Sequence, residues 1–269
     1  MRRGFSILCT GTEAAAALLM VVGLGLSASA QQAYKAPRTL DGHPDLQGVW
    51  QALNTAWVDL EDHAATIGWP AGLSVVEGGD IPYKPEALAK RDKNRRERLT
   101  ADPVARCLLP GVPRATYLPF PFQIVQNAET VNFAFEYVNA NRQIFTSGGP
   151  HAKHPEGWDG LWMGDSRGRW EGDTLVVDVT LQTEETWLDA SGNYHSDQLH
   201  VVERFTRNGP NHMRYEATIE DPQVFTRPWK MSTVLYRRKE PNVRLLEYEC
   251  YGFEFENIYP YPELAEGSR

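Results

Sequence analysis

The 269-residue chain is poor in cysteine, with three in all. None belongs to a Cys-x-x-Cys pair or sits at a Cys/His spacing, which argues against a thiolate metal site. There is no glycine-rich phosphate loop, no Gly-x-Ser-x-Gly elbow and no β–α–β alternation. Nucleotide-binding and α/β-hydrolase readings therefore find no support, and no redox cofactor motif is visible. Positive charge is in short supply too: 27 Lys and Arg stand against 35 Asp and Glu, a formal net charge of −8. That balance disfavours nucleic acid and anionic membrane surfaces as partners. Long apolar runs are absent except for one near the N-terminus, and it is too short to span a bilayer.

That run reads as the core of a signal peptide over residues 1–30. Arg2 and Arg3 precede it, Ala14 to Leu26 form the apolar stretch, and Ser27-Ala28-Ser29-Ala30 supplies the small residues of a cleavage site expected after Ala30. Arg2-Arg3-Gly4-Phe5 also fits a twin-arginine signal, with an ordinary general-secretory signal as the competing reading. The exported chain is expected to be periplasmic or secreted, with no stable membrane insertion. Cys9 would leave with the signal. In an oxidising compartment Cys107 and Cys250 are expected to form one disulfide, with two buried thiols as the alternative. Nothing in the sequence specifies an oligomeric state.

Residues 31–106 read as an irregular arm, rich in Pro, Gly and Asp, with isolated Trp50, Trp57 and Trp69. PDLQGVW (44–50) reads as a short extended segment. One helix is expected at about 85–99, where Pro85 suits a first turn and Ala, Leu, Lys and Arg favour helix. Glu86, Asp92 and Glu97 break up its basic run, so a solvated face explains the charges better than a binding patch. From about residue 121 the hydrophobic period becomes two. FQIVQ, VNFAFEYV, RQIFT, TLVVDVTL, LHVVERFT, HMRYEATIE, WKMSTVLYR and RLLEYECYGFEF are separated by turn clusters such as SGGP, EGDT and RNGPN. In HMRYEATIE, Met213, Tyr215, Ala217 and Ile219 face one way, and His212, Arg214, Glu216 and Thr218 the other. The pattern predicts a mainly β domain over 107–269, an antiparallel up-and-down barrel.

GRWEGDTLVVDV (168–179) resembles a strand–turn–strand unit of calycin-type, lipocalin-like barrels. With PDLQGVW, LPGVPR, PFQIVQ, RQIFTSGGPH, TWLDASGNYHSDQLHVVERF, DPQVFTRPW and LLEYEC, the chain is similar to a large family of uncharacterised exported bacterial proteins, over roughly residues 44–250. The resemblance implies a lipocalin-like fold and an exported location, and no particular reaction. One departure concerns the loop after the glycine turn. It usually reads His-Pro in that family; here Ala152 follows His151, and His154-Pro155 stands three residues on.

Several residues could carry chemistry. His151, His154 and His195 could gather at one end of a barrel and hold a divalent metal, although a polar loop bonding its own backbone explains the first two as well. Asp189 and His195 bracket a glycine turn. Asp189 could orient His195 as a base, or instead form an Asx-type turn while His195 caps a strand. Glu203 shares a strand face with Val201 and Phe205. A carboxylate there needs a partner such as Arg142 or Arg214, or is an acid of raised pKa in a pocket. Glu247 and Glu249 share one face, most simply a solvated one. Arg142, Trp162, Trp187, Tyr215 and Trp229 are candidate lining residues for a small apolar or aromatic ligand. Two functions follow: a barrel that binds such a molecule in its cavity, or an enzyme on the same barrel using His195, Asp189 and Glu203 for acid–base chemistry (lyase, isomerase or hydrolase), with or without a metal. No organic cofactor is implied.

Overall fold

The computed structural model describes residues 34–153 and 157–250. The expected signal peptide, His154 and residues 251–269 lie outside them. Nine strands close into one barrel in sequence order: β1 (Gly48–Ala52), β2 (Phe122–Gln126), β3 (Thr130–Phe135), β4 (Asn141–Phe145), β5 (Asp165–Glu171), β6 (Thr174–Thr180), β7 (His200–Arg207), β8 (His212–Glu220) and β9 (Trp229–Arg237). Helix α1 covers Pro85–Ala101 and α2 covers Arg114–Tyr117. The fold is a mainly β, closed barrel of the kind a lipocalin-like pattern implies. Among the described residues no helix is long and apolar enough to cross a membrane.

Three features differ from the sequence reading. First, PDLQGVW belongs to the wall. Its last residues open β1, which pairs antiparallel with β2 and with β9 and so closes the barrel. Second, the expected strand over RLLEYECYGFEF does not form in its described part, 244–250. Contacts outside the sheet hold the segment: the Leu246 N–H donates to Glu136 at 2.8 Å, and Tyr248 packs on Phe120 with ring centroids 4.8 Å apart. The Cys107–Cys250 disulfide, with Cα atoms 5.4 Å apart, holds its end. Third, β4 and β5 pair in parallel, because the connection between them is a long crossover, not a hairpin.

Strand alternation fills the interior. Val177, Val179, Val201, Phe205, Met213, Tyr215, Ile219, Met231 and Leu235 point inward and are fully buried. Phe133 stacks on Phe122 at 5.5 Å and meets the edge of Phe205 at 5.2 Å. Trp50 is wholly buried, donates to the Leu46 carbonyl at 2.9 Å, and lies 5.8 Å from each of the Arg207 and Arg237 guanidiniums. Burying a ring of this size contributes about 2–3 kcal/mol.

Helix α1 begins on Pro85 with Glu86 in its first turn and Arg98 in its last, which suits the helix dipole. It buries only Ala87, as expected of a solvated helix. Its contact with the 187–196 turn depends on Gly192, at φ +92°. A Cβ there would lie 2.7 Å from the Arg95 amide nitrogen, so any larger residue would push helix and turn apart.

Candidate functional site

The sequence reading puts His195, and with it the polar turn WLDASGNYHS, at one end of a barrel. The turn is buried, beneath residues 57–60, Tyr83 and α1. Asp189 is wholly buried, and its carboxylate accepts from the amides of Leu60 (3.0 Å), Ser191 (3.0 Å) and Asn193 (3.2 Å), and from Asn193 Nδ2 (2.6 Å). Every bond it makes goes to a donor other than His195. Burial, and next the Asp59 carboxylate, push its pKa up to about 7 against those donors.

His195 is also wholly buried. Its Nδ1 lies 2.8 Å from the Ser196 carbonyl and its Nε2 2.7 Å from Thr186 Oγ1. A carbonyl only accepts, so Nδ1 carries the hydrogen and Nε2 accepts from the threonine hydroxyl. Both nitrogens are thus satisfied in the neutral ring. Burial holds the His195 pKa below its ordinary value. The unfolded ring takes up a proton below about pH 6.5 while the folded ring resists it. The associated stability is therefore present above that pH and is lost as pH falls below it. Replacing His195 with glutamine should cost about 1–3 kcal/mol at pH 8. That cost should shrink as pH falls from 7 to 5, and a pH-independent difference in urea titrations would contradict this account.

Inside the barrel the sequence candidates do meet. Glu203 (β7) pairs with Arg142 Nη2 (β4) and accepts from the Tyr215 hydroxyl (β8) at 2.8 Å, and Arg142 Nε donates to Ser166 Oγ at 2.9 Å. Arg142 and Glu203 are 2% and 0% exposed, so the carboxylate is partnered by the arginine, one of the two named at the outset. Arg214 lies outside and bonds Glu216. Burial, and next the Glu203 charge, raise the Tyr215 pKa well above its ordinary value. Of the tryptophans, Trp229 is buried edge-on to Phe225 at 5.5 Å, Trp187 is buried and bridged to Tyr194, and Trp162 is half-buried.

A second polar group lies on the outer wall, and sequence reasoning found only part of it. Alternation turns Ser166, Val177, Val179, Val201 and Glu203 inward. It turns Asp165, Arg167, Asp178, His200 and Glu220 outward across β5 to β8. His151, from the β4–β5 crossover, lies against them. Its Nδ1 is 2.8 Å from Asp165 Oδ2 and its Nε2 is 2.9 Å from Asp178 Oδ1. His200 Nε2 reaches the same Asp178 oxygen at 3.0 Å, and its Nδ1 faces Glu220 at 3.8 Å. Arg167 binds both oxygens of Asp165, at 2.9 and 3.0 Å. Burial alone would raise the Asp165 pKa; the Arg167, Ala152 and His151 donors outweigh it and hold the group below its ordinary value. Both imidazoles are accessible, with side chains 28% and 36% exposed.

An ionised carboxylate only accepts hydrogen bonds. His151, held between two of them, can donate to one in its neutral form and to both only when protonated. His200 donates through Nε2 and is left with Nδ1 as a lone-pair nitrogen in its neutral form. Two accessible imidazoles thus share one oxygen of Asp178. The gathering of His151 with His195 does not occur, because His195 bonds Thr186 and Ser196. His154 lies outside the described residues, and among those described no group of three or more His, Cys, Asp or Glu side chains is arranged to hold a metal ion. The array was legible in part: alternation in TLVVDVT and HVVERF places Asp178 and His200 on one outer face.

The fold and these two clusters define a closed nine-stranded β-barrel, compatible with the calycin type, with an ionic core and an imidazole–carboxylate outer wall. No family model matches the chain, and no curated protein matches it significantly.

Proposed function

We propose that the protein binds a small polar molecule on its outer wall and moves a proton to or from it, with His200 as base and His151 as acid. The observation that carries this reading is the shared carboxylate: both rings reach Asp178 Oδ1, at 2.9 and 3.0 Å, and both are accessible. Asp165 and Arg167 orient His151, and Asp178 sets the His200 tautomer. Lyase or isomerase chemistry beginning with proton abstraction suits such a pair. The rival reading puts an apolar ligand inside the barrel. One observation favours it: Arg142 Nη1 is buried without a partner, as an acceptor oxygen on a ligand would require. The interior is crossed by mutually packed aromatic rings, Phe122, Phe133 and Phe205, which a ligand there would have to accommodate.

A thermal-shift panel of small hydroxy acids, keto acids, sugars and aromatic alcohols, followed by NMR detection of C–H exchange in D2O, tests both. Exchange that His200→Gln abolishes and Tyr215→Phe leaves intact supports the outer site. Binding without exchange defeats the acid–base role. Binding lost with Tyr215→Phe but kept with His200→Gln moves the site into the barrel.

A further inference from the structure

The buried 187–196 turn sits in a charge imbalance. Asp59 and Asp189, 1% and 0% exposed, flank one side chain: Asn193 Nδ2 donates to Asp189 Oδ2 at 2.6 Å and to Asp59 Oδ1 at 3.3 Å. Among the described residues one cation pairs with either carboxylate. It is Arg95, from α1, which reaches Asp59 Oδ2 with its own side chain 46% exposed. A buried site of that composition is better balanced when one carboxyl is protonated. The other ionisable groups facing Asp189 do not correct it. Arg114 attracts Asp189, but both its terminal nitrogens go to Asp102 at 2.7 Å. Tyr83 donates to Asn193 Oδ1 at 3.1 Å and Tyr117 to the Leu188 carbonyl at 2.6 Å. Burial raises both tyrosines well above their ordinary range, so they stay neutral, and His195 is a neutral ring. At the rim, Lys90 lies 4.6 Å from the Tyr194 ring centroid and faces Glu184 at 3.9 Å, and Arg91 faces Glu61 at 3.7 Å.

What lies over the pair is held lightly. Helix α1 is tied at its ends, by the Lys84 N–H to the Val224 carbonyl at 2.9 Å and by Asp102 to Arg114. Between the ties it buries only Ala87 and rests on the turn through polar bonds. Asn94 Nδ2 donates to the Gly192 carbonyl at 3.2 Å, and the Tyr194 hydroxyl to the Ala87 carbonyl at 3.1 Å. Few buried apolar contacts mean a low cost of local opening. We propose that α1 and residues 57–60 form a pH-responsive cover over the 187–196 turn, closed while Asp59 and Asp189 carry one negative charge between them and loosened once both are charged. The cover is independent of the outer-wall chemistry. Its direction follows from two proton affinities. With the cover closed, burial and Asp59 hold the Asp189 pKa at about 7; opened to water, the group returns toward about 3.9. The closed form holds a proton that the open form gives up. Opening therefore grows as pH rises from about 4 to about 7, by at most about ten-fold per unit, and levels off above that. Glu61, whose pKa burial also raises, adds to the same trend.

Amide hydrogen exchange of the folded protein, followed by NMR, tests this. The reporters are the amides of Leu60 and Asn193, which donate to Asp189, and of Ala190, which donates to the Trp57 carbonyl. Their protection factors, which divide out the base catalysis of exchange itself, should fall by at least about five-fold between pH 5 and pH 7.5 and hold level above pH 8. Amides of the β7–β8 ladder should stay more strongly protected throughout, because they open only with the whole barrel. Asp59→Asn keeps an acceptor for the Glu61 N–H and removes one of the two charges, so the fall should move to lower pH. Asp189→Asn should abolish it, with unchanged circular dichroism showing that each variant is folded. A flat wild-type profile, a profile that Asp59→Asn leaves in place, or reporters as protected as the ladder each overturn the proposal.

Discussion

Replacing Glu203 with alanine should destabilise the protein by about 3–5 kcal/mol, because it leaves the Arg142 guanidinium buried without its counter-charge. The effect should appear as a lower urea midpoint with an unchanged slope. The pair itself is not the source of that energy. Two charges taken out of water cost several kcal/mol each, and their attraction roughly offsets the cost. The double replacement Arg142→Met/Glu203→Leu should therefore be close to neutral, or even stabilising, because its side chains suit the surrounding Phe133, Phe205 and Val201. Tyr215→Phe alone should cost about 1.5–3 kcal/mol through one lost hydrogen bond to a charged acceptor. The decisive comparison is the single variant against the double. If Glu203→Ala costs less than about 1 kcal/mol, water reaches Arg142 and the interior is not the packed core described above. If the double variant is as damaged as the single, the ionic group contributes specificity that packing cannot replace.

The extent to which the sequence foretold this structure varies with the range of the interactions involved. Strands β2, β8 and β9 match the alternating segments FQIVQ, HMRYEATIE and WKMSTVLYR residue for residue, because a period of two is a local consequence of having one buried face. The helix begins at Pro85 for equally local reasons. LLEYEC shows the weakness of that logic, since its alternation is real but contacts outside the sheet and a disulfide hold the segment. GVWQA shows the converse: five residues with little pattern close the barrel because two neighbouring strands offer free edges. The candidate site divides similarly. That a buried Glu203 needs a partner follows from the cost of burying a charge, so that need was legible; the choice of Arg142 over Arg214 was not. His195 was misleading because the Gly-Asn turn around it looks solvent-facing. Only the long-range docking of residues 57–60, Tyr83 and α1 buries it. Asp178 and His200 lie on different strands, and their meeting depends on the β6–β7 register, which no single segment encodes.

Removing the disulfide should be the other large perturbation. Cys107 and Cys250 are separated by 143 positions, and the loop they close encloses β2 to β9. Chain-entropy reasoning puts the value of closing such a loop at about 5 kcal/mol at 25 °C, and native disulfides typically deliver about 2–5. A Cys107→Ser/Cys250→Ser variant should lose stability within that range, and reductant should lower the wild type to the same urea midpoint while leaving the variant unchanged. The loss belongs chiefly to the unfolded state. Cys250 lies beyond β9, and the barrel closes through the β1–β9 ladder without it. The Glu136–Leu246 hydrogen bond and the Tyr248–Phe120 contact still hold the segment near the barrel in the folded protein. Far-UV circular dichroism of the folded variant should therefore match the wild type even as its midpoint falls. A variant as stable as the wild type would mean that these contacts already restrict the unfolded chain. A variant with altered β content would mean instead that the bridge shapes the native barrel, so the two measurements together assign the stabilisation to one state or the other.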